Sequence, residues 1–344
     1  IGAGFVTKAR AEVLLDWFGG DLLGSIIEHS VASGEVPDAI LSIFKLFTSL
    51  SEHSIAGIAA SLSSTRSLKI VRHLLRLSTY PGYGGIDENI STLILPIWTL
   101  LQEELNDLGY LGNPPEDSDF DPPPSLIQEN YPELRSLSTE LFKTLAQGLK
   151  LKSTWPKQHF IADNWTKDMA ASFKSHTRAD LAECLLACYY VCRDELLLDL
   201  VMETKSLLSS PQGPDDCYED LEACLFCIRA IQDGIPSEEN TALPLVFSSE
   251  ILGRIPIGDK PPLLRLRGTC LTLIGDVLFR VVKASPEPST MLSQLGRTLL
   301  NLSRPRNNLA CSQRSAQALS RRKKSAGQRD CSSSGADQVH RRQN

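Results

Sequence analysis

Thr79-Tyr-Pro-Gly-Tyr-Gly-Gly-Ile-Asp-Glu-Asn-Ile-Ser-Thr-Leu-Ile-Leu-Pro-Ile-Trp-Thr-Leu-Leu-Gln-Glu-Glu-Leu105 is the stretch on which the fold turns. A segment rich in Pro and Gly, from Tyr80 to Gly85, ends one helix and reads as a helix–helix turn. It follows a helix rather than a strand, so it does not suit a phosphate cradle. The acidic pair Asp87 and Glu88 then opens a long helix, with Asp87 placed to accept from the free N–H groups of the first turn and both charges opposing the helix dipole favourably. Ile90, Leu93, Ile94, Ile97, Leu101 and Leu105 recur at helical spacing, with Trp98 at the edge of the stripe. Pro96 is expected to kink the helix without ending its pattern. Nothing in this stretch is chemically reactive, and it reads as a packing unit.

Working outward, almost every periodic segment has the helical period, and no alternating strand stands out. The periodicity predicts helices at 9–18, 20–33, 37–50, 53–63, 66–79, 87–109, 131–151, 158–174, 178–209, 216–233, 243–254, 262–284 and 289–303. Breakers fall between them, among them Gly34, Pro81-Gly82, Pro211, Pro236 and Pro261-Pro262. Several helices pair into hairpins with short links. The pairs opening near Asp216 and Pro262 start roughly 46 residues apart, close to the repeat length of HEAT and armadillo units. The expected fold is therefore all-α, an α-solenoid of HEAT/ARM-type hairpins spanning 1–303. A compact helical bundle has the same periodicity.

Two segments differ in kind. Residues 113–124, Asn-Pro-Pro-Glu-Asp-Ser-Asp-Phe-Asp-Pro-Pro-Pro, read as an exposed, acidic, proline-rich loop. In 304–344 the apolar period stops, and ten Lys or Arg stand against two acids. That tail reads as disordered, because it cannot bury enough surface to offset its ordering entropy. Its run Arg321-Arg-Lys-Lys324 resembles a short nuclear localisation signal, while the abrupt change of composition favours an out-of-frame or intron-derived end. The chain begins at Ile1 rather than Met, which suggests a fragment or a truncated gene model.

The net charge of −6 over 344 residues hides an asymmetry, for the body to residue 303 holds 25 basic and 39 acidic residues, a net −14. Such a surface repels nucleic acid and anionic membrane and favours basic partners; it also aids solubility. No apolar run reaches the roughly 18 residues of a spanning helix, which implies a soluble chain without membrane insertion. The nine cysteines follow no framework spacing and read as reduced thiols.

The sequence holds no P-loop, dinucleotide fingerprint, nucleophile elbow or zincin motif. Cys184, Cys188 and Cys192 share one helix face, and Cys224 and Cys227 form a C-x-x-C with Cys217 upstream. A zinc site there lacks its second pair and a nearby His, so core packing is the better reading. The histidines are isolated in sequence, with His176 expected at the surface. Glu103-Glu104 and Glu238-Glu239 read as solvated charge rather than acid–base pairs. No catalytic, metal-binding or cofactor-binding residue is assigned; an all-helical enzyme is the remote alternative.

Three ordered blocks carry a family resemblance. In the first, Pro81-Gly82 is followed by Asp87-Glu88, Ser91 and a helix with Trp98, Leu101, Gln102, Glu103 and Glu104. The second is Phe173 to Arg178 with Asp180, leading into a long helix that contains Tyr190, Arg193 and Leu196-Leu197. The third runs from Tyr218 through Glu222-Ala223 to Ile228 and Ile231. Together they resemble the importin-13/transportin-3 branch of the karyopherin-β nuclear transport receptors over roughly residues 10–300. Thr177 stands where that family usually has Tyr, and Tyr218 where it usually has Trp. The resemblance implies a HEAT-repeat superhelix that binds protein cargo, with a basic cargo suited to the acidic body. It also implies exchange controlled by Ran-GTP through the complete receptor, contact with nucleoporins, residence in nucleus and cytoplasm, and no enzymatic activity. The motif residues Pro81, Gly82, Asp87, Glu88, Trp98, Gln102, Glu104, Arg178, Asp180, Tyr218 and Glu222 are then structural. Another α-solenoid adaptor would share the pattern without the blocks.

Overall fold

The computed structural model describes residues 8–109, 111, 131–209, 217–235, 242–248, 250–256 and 258–284. The predicted loop 113–124, the helix at 289–303 and the basic tail lie outside the described residues. The helices are α1 (Lys8–Phe18), α2 (Asp21–Ser33), α3 (Asp38–His53), α4 (Ile55–Ala60), α5 (Thr65–Ser78), α6 (Ile90–Asp107), α7 (Tyr131–Ser153), α8 (Gln158–Asn164) and α9 (Lys167–Ser172). A π-turn (Phe173–Thr177) then leads into α10 (Arg178–Cys192), followed by α11 (Asp194–Leu208), α12 (Tyr218–Ile231), α13 (Leu243–Val246) and α14 (Pro261–Ala284). Among the described residues the extended pairing is a single bridge between Gly84 and Glu88. The chain is all-α, as its periodicity requires.

Packing runs from neighbour to neighbour. Helix α5 packs on α2, α6 and α7; α10 packs on α6, α7 and α12; and α12 packs on α11 and α14. Each amphipathic face is thus buried by elements close to it in the chain, which is the logic of a solenoid. One apolar core runs through the stack from Leu15 to Val277. A separate aromatic cluster joins Trp155, Trp165 and Phe173 to Tyr83 and Ile86 of the glycine-rich turn. Charged pairs tie α5 to the first hairpin: Arg66 reaches Glu12 and Asp16, and Arg76 reaches Glu28.

The structure corrects four boundaries. Helix α6 starts at Ile90 rather than at Asp87, because the Gly82–Gly85 turn and its bridge hold the acidic pair outside the helix. It runs on through Pro96. The predicted helix 158–174 divides at Trp165, whose backbone is extended, and Thr166 then caps α9 by accepting from the Met169 N–H at 3.1 Å. The predicted helix 178–209 breaks at Arg193, a non-glycine residue at φ 52°, so α10 and α11 meet at a one-residue joint. Among its described residues, the segment predicted as helix 243–254 holds one α-turn and a short 3₁₀ turn at Leu252–Arg254, so the hairpin opening near Asp216 is less regular than its spacing suggests.

Trp98 is not at the edge of its stripe. It is fully buried, donates from Nε1 to the Ser78 hydroxyl at 2.7 Å and meets Phe142 edge-on at 5.4 Å. A Trp can sit this deep because its N–H has found an acceptor.

Candidate functional site

The glycine-rich turn between α5 and α6 is built by its own acids. Asp87 accepts from the Tyr83 N–H at 3.1 Å and so closes the turn. Glu88, rather than Asp87, caps the helix: its Oε2 accepts from the N–H groups of Ile90 at 2.6 Å and Ser91 at 2.9 Å. The Ser91 hydroxyl donates to the other oxygen, Oε1. That same Oε1 accepts from Lys152 Nζ of α7 at 2.6 Å, and Lys152 also donates to the Gly82 carbonyl at 2.9 Å. Both side chains of this ion pair are buried. Burial pushes the Lys152 pKa below its ordinary value, while Glu88 pulls it back up.

The turn is also pinned from α10. Thr177, where the resembled family has Tyr, donates its hydroxyl to the Gly84 carbonyl at 2.7 Å in a buried setting. A hydrogen bond thus joins the first motif block to the second. Gly84 has no room for a side chain, since a Cβ there would stand 2.8 Å from the Ser91 hydroxyl.

The second and third blocks meet in a buried ion pair. Arg178, the first residue of α10, donates from Nη1 and Nη2 to the two oxygens of Glu222 on α12, both at 2.9 Å. The Thr269 hydroxyl of α14 donates to the same carboxylate. The guanidinium carbon lies 3.8 Å from the centre of the Phe226 ring. Parallel N–H···O bonds with an aromatic face beneath suit Arg and would not suit Lys.

The remaining motif residues play lesser parts. Pro81 is an exposed turn residue beside Gly82, which sits at φ 100°. Gln102 and Glu104 lie half-exposed on the last turns of α6, Asp180 lies exposed in the first turn of α10, and Tyr218 is buried at the start of α12. Lys152 escaped sequence reasoning because a lysine near a helix end reads as solvated. A depleted apolar period at the end of α7, where Lys150 and Lys152 are both buried, was the available signal.

Reactive groups are held quiet. Cys184, Cys188, Cys192, Cys224 and Cys227 are buried, and burial pushes the Cys227 thiol up to about 12. A thiol so placed stays protonated at neutral pH. His159 and His176 are exposed, and His176 lies against the Ser175 hydroxyl. Among the described residues no three His, Cys, Asp or Glu side chains gather to hold a metal ion, and no helix is long and apolar enough to cross a membrane. What the arrangement offers is a set of fixed helix junctions and, above Arg178 and Glu222, an open cleft of about 430 Å³.

No family model matches the chain. Its sequence is 22% identical, over 249 residues, to the importin beta-like protein kap111 of Schizosaccharomyces pombe; the match takes in 71% of this chain and 22% of that protein. Its backbone superposes on a solved structure described as importin13 in its cytosolic state, with a TM-score of 0.62, 22% identity, and coverage of 87% of this chain and 34% of that one. The chain therefore spans about a fifth of the curated relative's length and about a third of the solved chain's. The backbone likeness shows the importin solenoid as the fold. The sequence match is to an importin beta-like protein, in keeping with the three motif blocks, and in sequence and backbone the chain is similar to importin-β-type karyopherins.

Proposed function

We propose that the chain is a stretch of solenoid from a nuclear transport receptor that binds protein cargo and moves between nucleus and cytoplasm. The observation that carries this reading is the 249-residue sequence match to an importin beta-like protein. The importin-like backbone supports it. The proposed solenoid body is 1–303, with 304–344 a separate basic tail. Its surplus of 14 negative charges suits a basic cargo, because complementary fields speed encounter and exclude wrong partners. Ran-GTP control and nucleoporin contact belong in this proposal to the complete receptor. The chain's own share in this proposal is scaffold and surface rather than catalysis, since the buried ion pairs Lys152–Glu88 and Arg178–Glu222 are engaged in helix junctions.

The test is a pull-down of the complete protein with Ran locked in the GTP state. Retention of Ran, with release of bound cargo, is the expected result. No binding by the complete protein would sink the transport reading and leave an α-solenoid adaptor of another kind.

A further inference from the structure

The cleft above Arg178 and Glu222 continues into a second depression of about 310 Å³, and the two share Lys174, Arg178, Phe226 and Arg229. They form one groove along α12, walled by α10 on one side and α14 on the other. The smaller lobe adds two carboxylates, Asp233 and Asp276, so the groove as a whole sets four cations against three acids, a net +1 where the body is −14, and its surplus of positive charge lies in the larger lobe. In the larger lobe four cations, Lys174, Arg178, Arg229 and Arg265, line the cleft with one carboxylate, Glu222. That carboxylate is already taken up by Arg178 and Thr269. Arg229 is balanced by Asp276 at 2.8 Å, but exposed Lys174 has no ion-pair partner among the described residues.

Arg265 adds to the surplus. Its Nη1 donates to Gln158 at 3.0 Å, while its Nη2 is buried without a hydrogen-bond partner. Its guanidinium lies 5.0 Å from the centre of the Trp155 ring. Burial and, less strongly, the nearby Arg178 charge press its pKa down, against the pull of Glu219 and Glu222. Beside these cations the lining joins the hydroxyls of Thr269 and Thr272 to apolar Trp155, Phe226 and a half-exposed Leu264.

A leucine left open beside unbalanced cations fits a ligand that brings carboxylates and an apolar side chain together. A long polyanion such as nucleic acid meets the −14 body on either side of the groove and is repelled. A short segment feels mainly the local charges, because the field is screened over about 8 Å at physiological salt. We propose that this groove docks an acidic peptide segment of a partner protein, with an apolar residue between its carboxylates. The proposal rests on the lining of the groove and not on the transport reading, and a Ran pull-down leaves it untouched.

The experiment is fluorescence polarisation on the full chain with a labelled peptide Glu-Asp-Glu-Leu-Glu-Asp, beside an analogue with every acid replaced by Lys and an oligodeoxythymidine long enough to overhang both ends of the groove. The acidic peptide is expected to bind, with affinity falling at least about tenfold on Lys174→Glu and also on raising salt to about 0.5 M. Leu264→Ser is expected to weaken it with little change in salt dependence. Both substituted residues are exposed, so thermal melts should match the parent chain and separate loss of docking from loss of fold. Equal binding of the basic analogue, preference for the oligonucleotide, unchanged affinity in both variants, or no binding at low salt would each overturn the proposal.

Discussion

Arg178 and Glu222 stand 44 residues apart in sequence and join through two parallel hydrogen bonds of 2.9 Å, with 7% and 2% of their side chains exposed. Removing either partner alone leaves a buried charge without its counter-ion, which costs about 3–5 kcal/mol. Arg178→Met and Glu222→Leu should each lower urea-denaturation stability by that order. The pair Arg178→Met with Glu222→Leu should lose less than either single change, since no charge is then stranded. Simple addition of the two single losses in a double-mutant cycle would show that the residues act independently.

Helices α5 and α7 cross so closely that a Cβ on Gly148 would stand 2.2 Å from Cγ2 of Thr79. Gly148→Ala should therefore destabilise the chain by about 1–3 kcal/mol through overpacking, despite the better helix propensity of Ala. Thr79→Ser removes Cγ2 and keeps the hydroxyl that donates to Leu75. The double variant Gly148→Ala with Thr79→Ser should recover most of the loss. If it does not, the clash is not the cause.

His73 on α5 carries a buried Nε2 without a hydrogen-bond partner, and its pKa lies below the ordinary value, first because of burial. Lys69 pushes the same way, while the Gly20 backbone and, more weakly, Asp21 oppose it. The unfolded chain therefore takes up this proton at a higher pH than the folded one. Stability from this group is present above about pH 6.5 and is lost as the pH falls towards the lower folded value. Melting temperature should drop between about pH 7.5 and pH 5 more steeply in the parent than in His73→Leu. Parallel curves would assign the pH response to other groups.

Thr177 reaches the Gly84 carbonyl from the opening of α10. Thr177→Val keeps the volume but strands a buried carbonyl, at a cost of about 1–3 kcal/mol. Amide exchange in the 82–89 turn should quicken more than exchange in the centre of α6. A uniform rise across both would mean that the bond does not hold the turn locally.

Much of the helix order was legible because apolar residues recur with one period over long segments, as in α6 and α12. The joints were less so. Leu196 and Leu197 continue the stripe of α10 past Arg193, so periodicity ran straight through a break that a single φ of 52° creates. Asp87 and Glu88 are adjacent acids, and only the turn geometry decides that the first closes the turn while the second caps the helix. Trp98 was placed at the margin because a helical wheel shows one face, whereas α5 and α7 enclose it from two sides. The motif positions Arg178 and Glu222 were found through resemblance; their pairing was not, since nothing in the sequence joins residues 44 apart.

The ion pair between Lys152 and Glu88 has a mechanical consequence. Apolar stripes are forgiving: one helix can slip along another by a turn, about 5.4 Å, and still bury leucine against leucine. The same slip would pull Lys152 away from both Glu88 and the Gly82 carbonyl and would strand a charge where water does not reach. The ammonium group thus works as an index pin, admitting one alignment of α7 against the turn before α6. Any flexing of the stack is pushed to junctions that have no such pin.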